Sequence, residues 1–164
     1  MLEQPCPECG FDAARVSPAD VAELIRRNAA AWPEVLDRPE VARRPDDSTW
    51  SPLEYSAHVR DVFRLACVRL SLMLDEHDPM FPNWDQDETA VADRYNEQDP
   101  AVVAVDLVHA ADALAEDLNA IEDEQWARSG RRSDGAVFTV ASFAAYILHD
   151  PVHHLWDVTH DGGA

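Results

Sequence analysis

The twelve residues Trp50-Ser51-Pro52-Leu53-Glu54-Tyr55-Ser56-Ala57-His58-Val59-Arg60-Asp61 decide how the chain is read. Ser51 offers a capping hydroxyl, Pro52 takes a first helical position where its missing N–H has no helical partner, and Glu54 can return a bond to the Ser51 amide. Trp50 can pack on Tyr55 as a hydrophobic staple across this start. The pattern predicts one long helix from Pro52 to about Glu76. His58 falls on its apolar stripe with Tyr55, Val62, Ala66 and Met73, so the ring is expected to turn inward.

Three further helices lie on either side. Ser17-Pro18-Ala19-Asp20 combines a capping hydroxyl, an early proline and a first-turn acid, and Val21, Leu24 and Ile25 then recur at helical spacing. That helix should reach about Leu36, disturbed near its end by Pro33. Asp99-Pro100 opens another, with Val103, Leu107, Ala110, Leu114 and Leu118 on one stripe. Thr139 opens the last, which should reach about His160, with Gly162-Gly163 as a frayed end. With no convincing run of alternating strand residues, these patterns predict an all-α four-helix bundle. A long loop, residues 78–98, joins the second and third helices; it holds Phe81, Pro82, Trp84 and Tyr95 and is expected to be functional or partly helical and to cover one end of the bundle. Ser129 to Phe138 reads as a loop or short hairpin. No internal repeat or low-complexity tract is visible. The chain divides into an N-terminal segment (1–16), the bundle (17–160) and a disordered tail (161–164).

At 164 residues the chain has the size of one domain, and its 46% hydrophobic composition suffices to fill a core. Its 13 basic residues, all arginine, face 32 acidic ones, for a net charge of −19 at pH 7. Such a field repels phosphate backbones and anionic lipid, so neither nucleic acid nor a membrane surface is an expected partner. No apolar run is long enough for a membrane span and the N-terminus lacks a signal-peptide pattern, so a cytoplasmic location is expected. Arginine without lysine, with abundant alanine, suggests a GC-rich bacterial genome.

Seven histidines fall at positions 58, 77, 109, 149, 153, 154 and 160, four of them near the end of the last helix. His149 and His153 are four apart and project from one helix face, a spacing that lets two imidazoles share a metal ion. With His58 from the second helix they could converge inside the bundle. Three inward imidazoles with neither metal nor hydrogen-bond partners would leave unsatisfied nitrogens at about 1–3 kcal/mol each, which favours a ligand. The plainer reading makes His58 a hydrogen-bonded core residue and the last-helix pair helix-end charges. Pro151 lies between the two and is expected to kink the helix or widen it by one residue, in which case His154 replaces His153. Asp150 or Asp157 can orient an imidazole from behind, or be a solvated charge.

The segment from Trp50 to Asp61, with His149-Asp150-Pro151-Val152-His153-His154-Leu155 far downstream, resembles the DinB-like superfamily, including its mycothiol-dependent maleylpyruvate isomerase and bacillithiol transferase branches. The resemblance spans roughly residues 17–160. It implies a four-helix bundle with a divalent metal (zinc, nickel or iron) held by one side chain on the second helix and two on the last, which fall on His58, His149 and His153. It further implies a thiol-dependent S-transferase or isomerase, with a low-molecular-weight thiol and a small-molecule electrophile as partners. Relatives often form a homodimer, although no stripe here marks an interface. Many relatives lack the proline and have one residue fewer before the paired histidines.

Three imidazoles leave a divalent ion with open positions, as catalysis requires. A thiol there supports transferase chemistry and a water supports a metal-dependent hydrolase; a non-catalytic metal-binding or interaction bundle is the alternative of a different class. Trp84, Phe81, Tyr95 and Trp156 are candidates for a pocket wall and Arg60 or Arg131 for a carboxylate partner, although packing and solvated charge are the plainer readings. Cys6-Pro7-Glu8-Cys9 supplies half of a tetrahedral zinc site, for which His154, His160 or His77 could complete the set; otherwise it is inert or takes part in thiol chemistry. Cys67 reads as a small buried apolar residue.

Overall fold

Pro33 divides the first predicted helix. In the computed structural model, which describes residues 4–160, α1 (Val21–Ala29) ends before the proline and α2 (Trp32–Leu36) carries it in its first turn. A proline amide cannot donate one turn back, but in a first turn no such bond is required. The start also comes later than the pattern suggested. Pro18–Asp20 form a 3-10 turn, and Ser17 makes no side-chain cap bond.

Helix α3 (Pro52–Asp75) begins with the expected capping box. The Glu54 amide donates to the Ser51 hydroxyl at 3.3 Å, and the Ser51 amide donates to the Glu54 carboxylate at 2.8 Å. Arg44 Nε grips the same carboxylate at 2.9 Å. Burial pushes the Glu54 carboxyl up, but Arg44 and Ser51 outweigh it and hold the group below the ordinary range. Trp50 meets Tyr55 edge to face, ring centroids 5.6 Å apart, as the staple required.

The long connection is partly ordered as secondary structure. It contains β1 (Met80–Phe81), α4 (Gln86–Ala92) and a 3-10 turn at Tyr95–Glu97, and packs along α3. Helix α5 (Pro100–Asn119) follows, its first turn capped by Asp99, which accepts from the Ala101 amide at 2.9 Å. Strands β2 (Ser129–Arg132) and β3 (Val137–Thr139) form the short hairpin, turning through Gly135 at φ +96°, and β1 adds to β2 in parallel. Strands this short cannot display the alternation by which a sequence announces a sheet. Gly130 sits where a Cβ would lie 2.7 Å from Met73 Cγ, so the sheet presses closely on the end of α3.

Helix α6 (Val140–His160) closes the bundle. It packs on α3 and α1, while α5 packs on the same two helices. Ile25, Trp32, Phe63, Leu70, Met73, Leu107, Leu114 and Leu148 fill the space between them. A smaller cluster of Leu36, Leu53, Ala57, Ala90, Tyr95 and Val103 lies where α4 meets the start of α3. The architecture is the predicted all-α four-helix bundle with a small sheet added. Among the described residues no helix is long and apolar enough to cross a membrane. The tail expectation for 161–164 lies outside the described residues.

Candidate metal centre

Helix α6 passes through Pro151 as continuous α-helix, without the wider turn considered for it. The Pro151 carbonyl accepts a bond from Asn28 Nδ2 at 3.0 Å, which ties this part of α6 to α1. In a regular helix, positions 149 and 153 form one stripe and 150 and 154 a second, turned by about 100°. The two stripes meet different partners.

Asp150 and His154 meet His58. His58 is completely buried, its ring lying flat against Trp84 at 5.2 Å and flanked by Trp50 at 5.3 Å. Its Nε2 lies 3.2 Å from Asp150 Oδ1, and His154 Nε2 lies 3.7 Å from that same oxygen. On its other side His154 Nδ1 is 2.9 Å from Asp157 Oδ2, a contact that holds the ring with Nε2 toward Asp150. Burial pushes the Asp150 carboxyl up, yet the His58 bond and the nearby rings of His154 and His149 bring it below the ordinary carboxylate range. Two imidazole nitrogens and a carboxylate oxygen thus face one another with all ligand atoms within 4.8 Å. Two imidazoles and a carboxylate suit a divalent cation, so the residues fit the expected group. His58 Nδ1 is buried without a hydrogen-bond partner.

His149 and His153 face the N-terminal segment. Cys6, Cys9, His149 and His153 form the second group with ligand atoms within 4.8 Å of one another. Cys6 Sγ is 3.5 Å from His153 Nδ1, and His153 Nε2 is 3.1 Å from Glu8 Oε2. His149 stacks on Phe11 with centroids 5.1 Å apart, and its Nε2 is buried without a partner. The Cys9 amide does most to lower the Cys6 thiol, to about 6, with the Glu8 amide and His149 assisting against some burial.

The expected trio His58, His149 and His153 is therefore divided between two places. His58 does meet the last helix, but through His154 and Asp150, because α3 faces the 150/154 stripe. Of the carboxylates expected behind the ligands, Asp157 orients His154, whereas Asp150 stands among the donors themselves. His154, His160 and His77 are not the histidines beside Cys6 and Cys9. A lone Asp-x-x-x-His is a far weaker signal than His-x-x-x-His in so acidic a sequence.

Among the suggested wall residues, Trp84 stacks on His58, whereas Phe81 is core and the Tyr95 hydroxyl donates to Asp61 at 2.7 Å. Trp156 stacks on His160, with its ring 6.2 Å from that of His153. Arg60 is engaged with Asp61 and Gln98, and Arg131 with Asp78. Cys67 is half-buried, and burial pushes its thiol up to about 11. A cavity of about 360 Å³ contains Trp50, Tyr55 and Asp157 in its lining, and Tyr55 and Asp157 both contact the His154 ring.

The profile of the DinB superfamily matches residues 22–158. Among solved structures, YfiT from Bacillus subtilis is similar over 89% of both chains, with a TM-score of 0.78 at 15% sequence identity. That protein is described as a probable metal-dependent hydrolase with an unusual four-helix bundle topology. No curated protein sequence matches the chain.

Proposed function

Taking as premise that this chain belongs to the DinB superfamily, we propose that it is a divalent-metal-dependent enzyme whose ion is held by His58, Asp150 and His154. The observation that carries this reading is the convergence of three donors from α3 and α6 on one point beside a cavity, too few to close a coordination sphere. The donor types accept zinc, nickel or iron. When bound, such an ion supplies Lewis acidity that deprotonates a thiol or a water near neutral pH.

The chain's own residues set the conditions. Asp150 would offset part of the cation's charge, which three neutral imidazoles would not do. Asp157 holds the His154 ring in its tautomer and direction. Trp84 and Trp50 cover His58 and keep water from that side. Tyr55 and Asp157 stand between the cluster and the cavity, where a small-molecule electrophile would sit. We assign S-transfer or isomerisation with a low-molecular-weight thiol as the reaction, on the family resemblance. Hydrolysis is the second reading, favoured by the description of YfiT.

Titration of the cobalt-substituted protein with a small thiol tests the assignment. A new thiolate-to-cobalt absorption is expected, retained in Cys6→Ser and lost in His58→Ala. A thiol that leaves the spectrum unchanged overturns the transferase reading, and metal content indifferent to His58→Ala overturns the metal site.

A further inference from the structure

The N-terminal Cys6-Pro7-Glu8-Cys9 turn plays no part in the proposed reaction, yet it folds back on α6 from about 140 residues away in sequence. We propose that Cys6, Cys9, His149 and His153 form a second, structural zinc site that pins the N-terminal segment to α6. It stands independently of the catalytic reading, because it shares no ligand with His58, Asp150 and His154.

The chemistry is that of a closed tetrahedral centre, two thiolates from a Cys-x-x-Cys turn and two imidazoles from a helical i,i+4 pair. On tetrahedral zinc a sulfur and a nitrogen ligand stand about 3.6 Å apart, as follows from Zn–S and Zn–N bonds of about 2.3 and 2.0–2.1 Å. Cys6 Sγ and His153 Nδ1 lie 3.5 Å apart, with the other ligand atoms of the group within 4.8 Å. The turn is shaped for this task. The Cys6 amide donates to the Phe11 carbonyl at 2.8 Å and the Gly10 amide to the Cys6 carbonyl at 3.0 Å, with Gly10 at φ +73°, where a side chain would be strained.

The supporting contacts agree. Glu8, between the two cysteines, lies 3.1 Å from His153 Nε2, and this contact holds the ring with Nδ1 toward Cys6. His149 is held by Phe11 on one face, with a buried Nε2 that has no hydrogen-bond partner. The cysteines are free thiols rather than a disulfide. A fourfold protein ligand set leaves no position for substrate, so the site holds structure and does not catalyse.

Metal content and cobalt spectra of the full-length protein, purified without a histidine tag, test the proposal. His58→Ala should still bind one equivalent of zinc, and its cobalt form should show intense thiolate-to-cobalt absorption with tetrahedral visible bands. X-ray absorption at the zinc edge of that variant should report two sulfur and two nitrogen neighbours. Both signals should vanish in the Cys6→Ser/Cys9→Ser variant, with one equivalent of metal lost. A cobalt form of the unsubstituted protein without thiolate absorption, or a Cys6–Cys9 disulfide in protein isolated with its metal, would overturn the site. So would rapid alkylation of Cys6 in zinc-loaded protein, the mark of an ion pair with His153 in place of a metal.

Discussion

Asp157 touches neither His58 nor Asp150 and lies 3.6 Å from His153 Nε2, and its carboxylate, 2.9 Å from His154 Nδ1, decides which nitrogen of that ring faces Asp150. Substitution Asp157→Asn should weaken metal binding at the His58 cluster about 10–100-fold, the usual cost of losing such a contact, while far-ultraviolet circular dichroism stays unchanged. Competition with a chromophoric chelator measures it; unchanged affinity would mean that packing alone orients His154. At this scale the sequence was only partly readable. His58 stood out because an imidazole on an apolar stripe is conspicuous, whereas Asp150, one of 32 acidic residues, stood out only as a carboxylate behind a ligand and not as a donor itself. Which of two adjacent helix stripes faces α3 is a question of tertiary packing, and a difference of about 100° separates the answers.

Among the elements, the start of α3 was the most legible, since Ser51, Pro52 and Glu54 state it in local chemistry. Ser51→Ala should cost about 0.5–2 kcal/mol in chemical denaturation, with Asn96 Nδ2, 3.0 Å from the same hydroxyl, losing a partner as well. Glu54 adds a pH dependence. Its folded carboxyl titrates below its unfolded counterpart, so its contribution is complete above about pH 4.3 and is lost as acid titrates the folded group. The stability gap between the unsubstituted protein and Glu54→Gln should therefore shrink as pH falls through that range; a gap independent of pH would show that the charge is not what stabilises the cap. The small sheet was the least legible element. Its strands have two to four residues, and their place depends on Gly130 approaching Met73. Gly130→Ala should destabilise by about 1–3 kcal/mol, because both Met73 and Phe81 against it are fully buried and cannot give way freely. A neutral result in urea denaturation would place slack there.

For the whole molecule, the bundle followed from four long helical patterns, three of them marked by apolar stripes, and the family match over residues 22–158 agrees with it. The division of the last-helix histidines between two clusters did not follow, because it depends on where the N-terminal segment returns in space. The net charge of −19 makes self-repulsion a global term, so added salt should raise the melting temperature of metal-free protein. Chelation should lower the melting temperature in either salt, since both proposed ions bind only the folded chain. A melting curve insensitive to chelator would indicate that no ion is bound.

Metal binding at His58 requires that α6 present Asp150 and His154, not His149 and His153, to that ring. The sharpest measurement uses the Cys6→Ser/Cys9→Ser chain, which retains only that cluster, and compares the metal bound per chain after adding His153→Ala or His154→Ala. Retention of one equivalent with His153→Ala and its loss with His154→Ala is the predicted result; loss with His153→Ala and retention with His154→Ala would contradict it.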